Sequence, residues 1–220
     1  AHLSHNFVSM VSPTAVEKYG EDFNENPVGT GPFEFERWQR GEILSVVRND
    51  DYWGENAYLD RVNFLIVPED STRVVLLETG EADAIMRVPP RDVDRLQGTP
   101  NIEVLNVPSV RTIYIGFHYQ REPFTDRRVR QAINYGVHNE AIVRHILGGA
   151  GRASDAPISP GIFGYAPQDP YGYDPEKAME LLAEAGYEDG LEITLHHPVG
   201  RYLMDETIAM AVQSQLAEIG

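Results

Sequence analysis

Cysteine is absent from this sequence of 220 residues. Without a thiol the chain can form no disulfide, no thiolate metal site and no cysteine nucleophile. The absence leaves the cellular compartment open, since large proteins outside the cytoplasm can fold without disulfides. No apolar run approaches the length of about 18 residues that a membrane helix needs. The opening residues Ala1–Ser4 also show no signal-peptide pattern.

Lysine is almost absent as well. Only Lys18 and Lys177 are lysines among the 18 basic residues, so arginine carries nearly all the positive charge. The 34 acidic residues give a formal net charge of -16 at pH 7. This balance excludes a nucleic-acid binder, which needs basic patches against phosphate. An acidic surface stays hydrated where salt screens charge beyond about 3 Å at 1 M. We therefore predict a salt-loving source, such as a halophilic archaeon; an ordinary acidic protein is the alternative.

Motifs of common catalytic and metal sites are also missing. The sequence contains neither a Gly-X-Ser-X-Gly elbow nor a His-Glu-X-X-His pair. Adjacent acids such as Asp50 and Asp51 are expected by chance among so many acidic residues. His196 and His197 follow a predicted strand, where neighbouring side chains point to opposite faces and rarely reach one ion. The other histidines have no recognised ligand spacing. We predict no enzyme, no metal site and no cofactor.

A compact turn between residues 26 and 35 is the most distinctive stretch of the chain, with the letters NPVGTGPFEF. Its glycines and prolines predict a rigid turn, and the alternation that begins at Phe33 predicts a half-buried strand. Gly41 marks a hairpin turn, and residues 43–49 read as the returning strand. A strand follows the glycines where a phosphate-binding loop would have a Lys-Ser/Thr sequel and a helix, so nucleotide binding is rejected.

The remaining pattern alternates helices with strands, which is typical of an α/β fold. Helix signals lie at residues 12–20, 70–80, 89–96, 126–135, 139–147, 174–186 and 205–219. Strand patterns lie at residues 58–67, 82–86, 101–107, 111–117 and 191–195. Helices dominate after Phe117, so we place a domain boundary near residues 114–122. The loop at residues 151–173 is rich in glycine and proline, and a connection of this length is either functional or mobile.

Four of these stretches together resemble a known family: NPVGTGPF, RNDDYWG, IVPEDSTRVVLLETGEADAI and RVRQAINYGVHNEAI. They are similar, in the same order, to the solute-binding proteins of peptide- and nickel-type ABC importers, extracytoplasmic solute-binding protein family 5. The resemblance implies a fold of the periplasmic-binding-protein type II kind, with two lobes and mixed sheets. Members are usually much longer, so we expect a fragment that is incomplete at both ends. Residues 1–116 would belong to lobe I and residues 117–220 to lobe II.

The resemblance also implies a function. The protein would capture di- or oligopeptides outside the membrane and deliver them to ABC permease subunits by hinge closure. The full-length protein would be a membrane-anchored lipoprotein and a monomer, without a cofactor. Three alternatives remain open: a nickel or metal-chelate binder of the same fold, a ligand-sensing domain of a regulator, and a hydrolase.

Two segments supply candidate ligand contacts. Ligands of open α/β sheets lie beyond the carboxyl ends of strands, and the loop at residues 195–202 also precedes a helix N-terminus, which favours anions. Its Arg201 offers a planar fork for a carboxylate. In the resembling dipeptide-binding members an arginine and a tyrosine of this loop meet the ligand, and Arg201 and Tyr202 match them. A surface arginine and a partly packed tyrosine are the alternative.

The second segment is the crossover between the predicted lobes. Phe117 and His118 lie where the resemblance places the edge of the cleft, so we include both as candidate ligand contacts. The family commonly has asparagine at the position of His118, which weakens the case for a polar contact there. For Phe117, packing in the core is the stronger alternative.

Overall fold

The structure is a computed structural model that describes residues 8–220 of the chain. The chain divides into two compact units, Ala1–Thr72 and Arg73–Gly220. The predicted boundary between lobe I and lobe II, at residues 116 and 117, concerns the lobes of the family and not these compact units. It stays a prediction. The two units are described in turn.

The first unit begins with the helix α1, Pro13–Tyr19. The Ser12 hydroxyl caps it by accepting a hydrogen bond from the Ala15 N–H at 3.3 Å, and Pro13 occupies the first helical position. Gly20 ends the helix with a φ of 53°, a conformation that glycine adopts without steric cost. The sequence predicted this helix with its caps, but it did not predict the 3₁₀ helix Gly20–Glu25 that follows.

Three antiparallel strands in sequence order form the sheet of the first unit: β1 (Phe33–Gln39), β2 (Ile43–Arg48) and β3 (Arg61–Leu65). All three were predicted. Ser45 of β2 has the only fully buried polar side chain among residues 8–220. Its hydroxyl donates to the Asn63 Oδ1 at 2.8 Å and accepts from the Arg37 Nε at 3.4 Å. Burial therefore leaves no polar group of this residue unsatisfied.

The two ends of the distinctive turn region meet at Asn49. The Asn49 side-chain amide donates to the Gly31 carbonyl at 3.0 Å, and its backbone N–H donates to the Pro32 carbonyl at 3.0 Å. Its Oδ1 in turn accepts the N–H of Asp51 at 3.0 Å. The segments NPVGTGPF and RNDDYWG therefore form one substructure around the β1–β2 hairpin.

Six helices follow, all at the predicted places. They are α2 (Asp70–Thr79), α3 (Pro90–Gln97), α4 (Arg127–Gly136), α5 (Asn139–His145), α6 (Pro175–Glu184) and α7 (Asp205–Ala217). The caps agree with the predictions too: Asp126 begins α4 and Asp174 begins α6, each by accepting a backbone N–H with its carboxylate. Among residues 8–220, no helix combines the length and the apolar character that crossing a membrane requires.

Helices α4, α6 and α7 form the core of the second unit. Helix α4 packs against α6 and also contacts α7. The apolar spacing of α6 predicted one buried face, and Ala178, Leu181 and Leu182 are indeed buried. The buried cluster comprises Val129, Ala132, Ile133, Val137, Ile142, Ala178, Leu181, Leu182, Val212 and Ile219. Each fully buried large aliphatic side chain contributes about 1.5–3 kcal/mol.

Four predicted strands are wrong for this structure. Residues 82–86, 101–107, 111–117 and 191–195 form no strand, because no segment of the described chain pairs with them in a ladder. An alternating pattern gives one face that can be buried, but a strand also needs a neighbour that accepts and donates its backbone hydrogen bonds. The N–H of Leu191, for example, donates to the carbonyl of Gly220 at 2.9 Å, but this hydrogen bond is not part of a strand ladder.

The long loop at residues 151–173 is packed at several points. The Tyr165 hydroxyl donates to Asp155 at 2.7 Å, and the Ser159 hydroxyl donates to the Ser109 carbonyl at 3.0 Å. At its end the Tyr173 ring stacks on His138 with centroids 4.5 Å apart. These contacts hold the loop against the segment before residue 111 and against α5.

Candidate functional site

The loop that leads into α7 is organised by one carboxylate. Asp205 accepts hydrogen bonds from the backbone N–H groups of Gly200, Arg201, Tyr202 and Glu206, at 2.9–3.1 Å. The sequence predicts that this helix N-terminus favours a ligand anion. In the structure, the Asp205 carboxylate accepts one N–H of the first turn, from Glu206, and three N–H groups of the preceding loop. These four N–H groups are therefore not available to a bound anion.

The ionisation of Asp205 reflects these contacts. Partial burial by itself raises the pKa of the carboxyl, but the four backbone donors together lower the pKa by more, so it lies below its usual value. A carboxyl whose pKa is lower in the folded state stabilises the fold above its unfolded pKa of about 3.9. That stabilisation is lost as the pH falls through the lower, folded pKa.

Arg87 holds the other side of the same loop. Its Nη1 donates to the carbonyl of Gly200 at 3.1 Å and to the carbonyl of Arg201 at 3.0 Å. Arg87 itself has a φ of 60°, and Met204, just before α7, has a φ of 56°. Such left-handed conformations of non-glycine residues cost on the order of 1–3 kcal/mol each and persist only where surrounding contacts enforce them. The loop conformation is therefore fixed from both sides.

Arg201 and Tyr202 lie together at this loop, as the sequence predicted, and a third residue joins them. The guanidinium carbon of Arg201 lies 5.8 Å from the centre of the Tyr202 ring. The guanidinium carbon of Arg111 lies 5.5 Å from the same ring centre. Both distances fall within the range of about 6 Å for a cation–π contact. Arg201 is exposed and Tyr202 is half-buried, so the guanidinium groups can meet a solute.

Phe117 and His118 occupy a different environment. Phe117 is half-buried, packs against the core of the second unit, and lies 5.4 Å from Phe124 between ring centroids. His118 is exposed, and its carbonyl accepts the N–H of Arg121 at 2.9 Å. Within residues 8–220 no hydrogen bond or ring contact joins either residue to the loop of Arg201 and Tyr202. The structure thus brings together two of the four predicted residues, and a ligand role for all four stays a prediction.

The described part of the chain has no cluster of side chains that would support the metal-binding alternative. Among residues 8–220 no group of three or more His, Asp or Glu side chains could hold an ion. His196 is exposed, and the Nδ1 of the exposed His197 lies 2.9 Å from the carbonyl of Pro198. His2 and His5 lie outside the described residues.

An open depression of about 480 Å³ beside α5 contains none of the predicted residues. It is lined by Glu140, Val143, Arg144, Gly148, Gly149 and Ala153. One acid and one base face it without an aromatic side chain, so its chemistry favours no particular ligand. The arginine pair at Tyr202 is the more specific arrangement.

The roles of Arg87, Arg111 and Asp205 at this loop were not predicted from the sequence. Asp205 had a usable signal, because an acid in the first turn of a helix often accepts the preceding backbone N–H groups. Arg87 and Arg111 lie 114 and 90 residues before Arg201 in the sequence. No local pattern connects positions so far apart, so only the tertiary structure could identify them.

Replacing Asp205 by alanine is expected to lower the free energy of unfolding by about 1 kcal/mol at pH 7, the usual cost of losing a helix-capping side chain. The difference from the original chain should shrink as the pH falls below about 4, where the unfolded chain becomes protonated. It should vanish only below the lower pKa of the folded state, where the carboxyl is protonated in both states. Urea unfolding at a series of pH values measures this. Glu206→Ala is the matched control, since it removes the same charge from the same helical turn but no carboxylate that accepts these N–H groups. Equal losses in both variants would contradict the prediction.

Comparison with known proteins gives a consistent result. A family model described as bacterial extracellular solute-binding proteins, family 5 Middle, matches residues 2–220. The glutathione-binding protein GsiB of Salmonella paratyphi A is 34% identical over 223 residues, and the alignment covers 99% of this chain and 43% of that protein.

Two solved structures give the same picture. The periplasmic binding protein DppA from Helicobacter pylori, in complex with peptide STSA, has a TM-score of 0.90 at 33% identity, covering 100% of this chain and 43% of that one. The dipeptide-binding protein from Pseudoalteromonas sp. SM9913, in complex with Met-Leu, has a TM-score of 0.84 at 26% identity, covering 100% and 45%. The chain therefore spans less than half the length of these relatives.

Proposed function

Because the chain belongs to the bacterial extracellular solute-binding proteins of family 5, we propose that it is part of the peptide-binding component of an ABC importer. Its α/β fold is that of the type II periplasmic binding proteins. Its relatives carry the names of a glutathione-binding and a dipeptide-binding protein, and one was solved with a peptide. The protein would capture di- or oligopeptides outside the membrane and pass them to permease subunits.

The observation that supports this function is the arginine and tyrosine arrangement at the start of α7. A free peptide ends in a carboxylate, and a guanidinium fork binds a carboxylate through two parallel hydrogen bonds. Asp205 occupies the backbone donors of the loop and so leaves the Arg201 side chain as the group that meets an anion. The half-buried Tyr202 offers a ring face and a hydroxyl beside it.

Four further features belong to the proposal. The protein binds and releases its ligand without catalysis. Residues 1–116 contribute to one lobe and residues 117–220 to the other, and hinge closure around the ligand separates an open from a closed state. Phe117 and His118 lie near this crossover and line the cleft in the closed state. In the cell the full-length protein is anchored at the membrane surface.

The test measures peptide binding by calorimetry to the full-length product of the gene and to this chain. Arg201→Ala should weaken the binding of a peptide with a free C-terminus by at least about 1.5 kcal/mol, the low end for a hydrogen bond to a charged group. That loss is roughly a tenfold rise in Kd. The same peptide with an amidated C-terminus should bind both forms with similar affinity, since its carboxylate is already gone.

Arg127→Ala is the matched control, because Arg127 is another exposed arginine of the same compact unit. Unchanged affinity of the Arg201 variant would remove this residue from the site. Mass spectrometry of ligand retained through purification of the full-length protein adds an independent result. A tightly retained nickel chelate in place of peptide would overturn the peptide assignment in favour of the metal-chelate alternative.

A further inference from the structure

The cationic pair at Tyr202 contains more positive charge than one carboxylate needs. Arg111 and Arg201 both direct a guanidinium toward one ring, with the carbons 5.5 Å and 5.8 Å from its centre. Two like charges near one ring repel each other, although water weakens the repulsion. The negative face of the tyrosine ring offsets part of it. A bound anion would therefore offset the remaining repulsion between the two guanidinium groups.

Neither arginine is neutralised by an acid of the described chain. Within residues 8–220, Arg111 and Arg201 form no ion pair, although Arg48, Arg95 and Arg128 each contact a carboxylate. The carboxylate oxygens of Asp205, the acid at the start of α7, accept hydrogen bonds from backbone N–H groups. In a chain of net charge -16, two guanidinium groups near one tyrosine ring form a locally positive region. It provides an attractive point for anions on a surface that otherwise repels them.

The positions of both arginines are fixed by contacts that do not involve their own charged groups. The backbone N–H of Arg111 donates to the Ser109 hydroxyl at 3.0 Å, and the Ser109 carbonyl accepts from Ser159 of the long loop at 3.0 Å. The backbone at Arg201 is held by Asp205 on one side and by Arg87 on the other. The backbone at both arginines is therefore ordered before a ligand binds, which lowers the entropy cost of binding.

We propose that Arg111 and Arg201 together bind a ligand end that carries two carboxylates, which in a peptide means a C-terminal Glu or Asp residue. The α-carboxylate and the side-chain carboxylate of such a residue supply two negative charges for the two guanidinium groups, whereas a neutral C-terminal residue leaves one unmatched. Arg111 is then a specificity-determining residue, and Arg87 is a positioning residue that acts through the loop. This inference rests on the proposed peptide-binding function.

A pair of nearly isosteric peptides tests the charge match. Ala-Ala-Glu and Ala-Ala-Gln differ at the last side chain by one carboxylate, so the ratio of their Kd values isolates its contribution. The original protein, in its full-length form, should bind Ala-Ala-Glu about tenfold more tightly, the effect of one charge-assisted contact. In Arg111→Gln the ratio should fall to about one to three, while the Kd for Ala-Ala-Gln changes less than about threefold.

Three further variants make the result specific. Arg127→Gln removes the same charge from an exposed arginine of the same compact unit and should leave the ratio unchanged. Arg111→Lys keeps the charge without the planar fork and should retain an intermediate ratio. Arg87→Ala should weaken both peptides alike, because it loosens the loop and does not touch the additional carboxylate. Thermal unfolding of each variant at the same salt concentration shows that the fold is intact.

The outcomes separate the two proposals. Peptide binding with equal affinity for the two peptides, or a ratio that Arg111→Gln leaves unchanged, overturns the role of Arg111 and leaves the peptide-binding function standing. Absence of binding for every peptide overturns the proposed function and this inference with it. A ratio near ten that collapses in Arg111→Gln and persists in Arg127→Gln supports both proposals.

Discussion

Replacing Leu182 by alanine should lower the free energy of unfolding by about 2–5 kcal/mol, the range observed when a buried leucine is truncated. Leu182 lies on α6 with only 5% of its surface exposed, inside the cluster formed by α4, α6 and α7. Truncation removes its transfer free energy and leaves a cavity that the neighbouring helices cannot fully close. Since domains of this kind are stable by only about 5–15 kcal/mol, the loss is a large share of the total.

The control comes from the same helix. Met179 is 45% exposed, so Met179→Ala should change the free energy of unfolding by less than about 0.5 kcal/mol. Urea unfolding followed by far-ultraviolet circular dichroism measures both variants, since α4, α5, α6 and α7 all lie in the second unit. Trp38 and Trp53 lie in the first unit, so tryptophan fluorescence follows that unit separately. Similar midpoints for the two variants would contradict the assignment of α6 to the core.

Dialysis into low salt is expected to unfold the chain, and stability should rise steeply between about 0.1 and 1 M NaCl. The reason is the net charge of -16, which leaves many carboxylates without a possible basic partner. Their mutual repulsion acts over about 10 Å at 0.1 M salt but only about 3 Å at 1 M. Repulsion of this kind destabilises the compact state, and screening relieves it.

Salt also has a destabilising effect, on the surface ion pairs. The surface ion pairs, such as Arg40 with Glu25 and Lys177 with Glu180, are weakened by the same screening. Exposed pairs of this type contribute about 0–1 kcal/mol each, and many contribute nothing measurable. The excess of acids therefore decides the sign, and the net effect of salt is stabilising.

Two comparisons isolate the screening. NaCl and KCl at equal ionic strength should stabilise similarly below about 1 M, because screening depends on ionic strength alone. Sucrose, which stabilises by exclusion from the protein surface, should not rescue the fold at low salt to the same extent. A melting temperature that does not change from low salt to 1 M NaCl would contradict the salt-loving source and favour an ordinary acidic protein.

Elements whose determinants are local followed from the sequence. Helix α6 was predicted with its start, its end and its buried face, because Asp174, the following Pro175 and the apolar spacing all lie within a dozen residues. The β1–β2 hairpin was predicted for the same reason, since its turn at Gly41 has a φ of 78° and its strands alternate. The family membership also followed from contiguous motifs.

Elements that depend on a distant partner did not follow. The segment at residues 111–117 alternates as a strand does, yet it has no ladder neighbour among residues 8–220. The sequence pattern records only which face of a segment is apolar, and a strand exists only when a second segment supplies its hydrogen bonds. Patterns of this kind therefore over-predicted strands in the second unit.

The sequence by itself determined the acidic character, the helices, the hairpin and the family, because charge, capping and periodicity are properties of adjacent residues. Only the tertiary structure brought Arg111 to the ring of Tyr202 and fixed the loop between Arg87 and Asp205. It also showed that the Asp205 carboxylate accepts the loop N–H groups that precede α7. These contacts join residues up to 114 positions apart, and chain folding alone decides which of them meet.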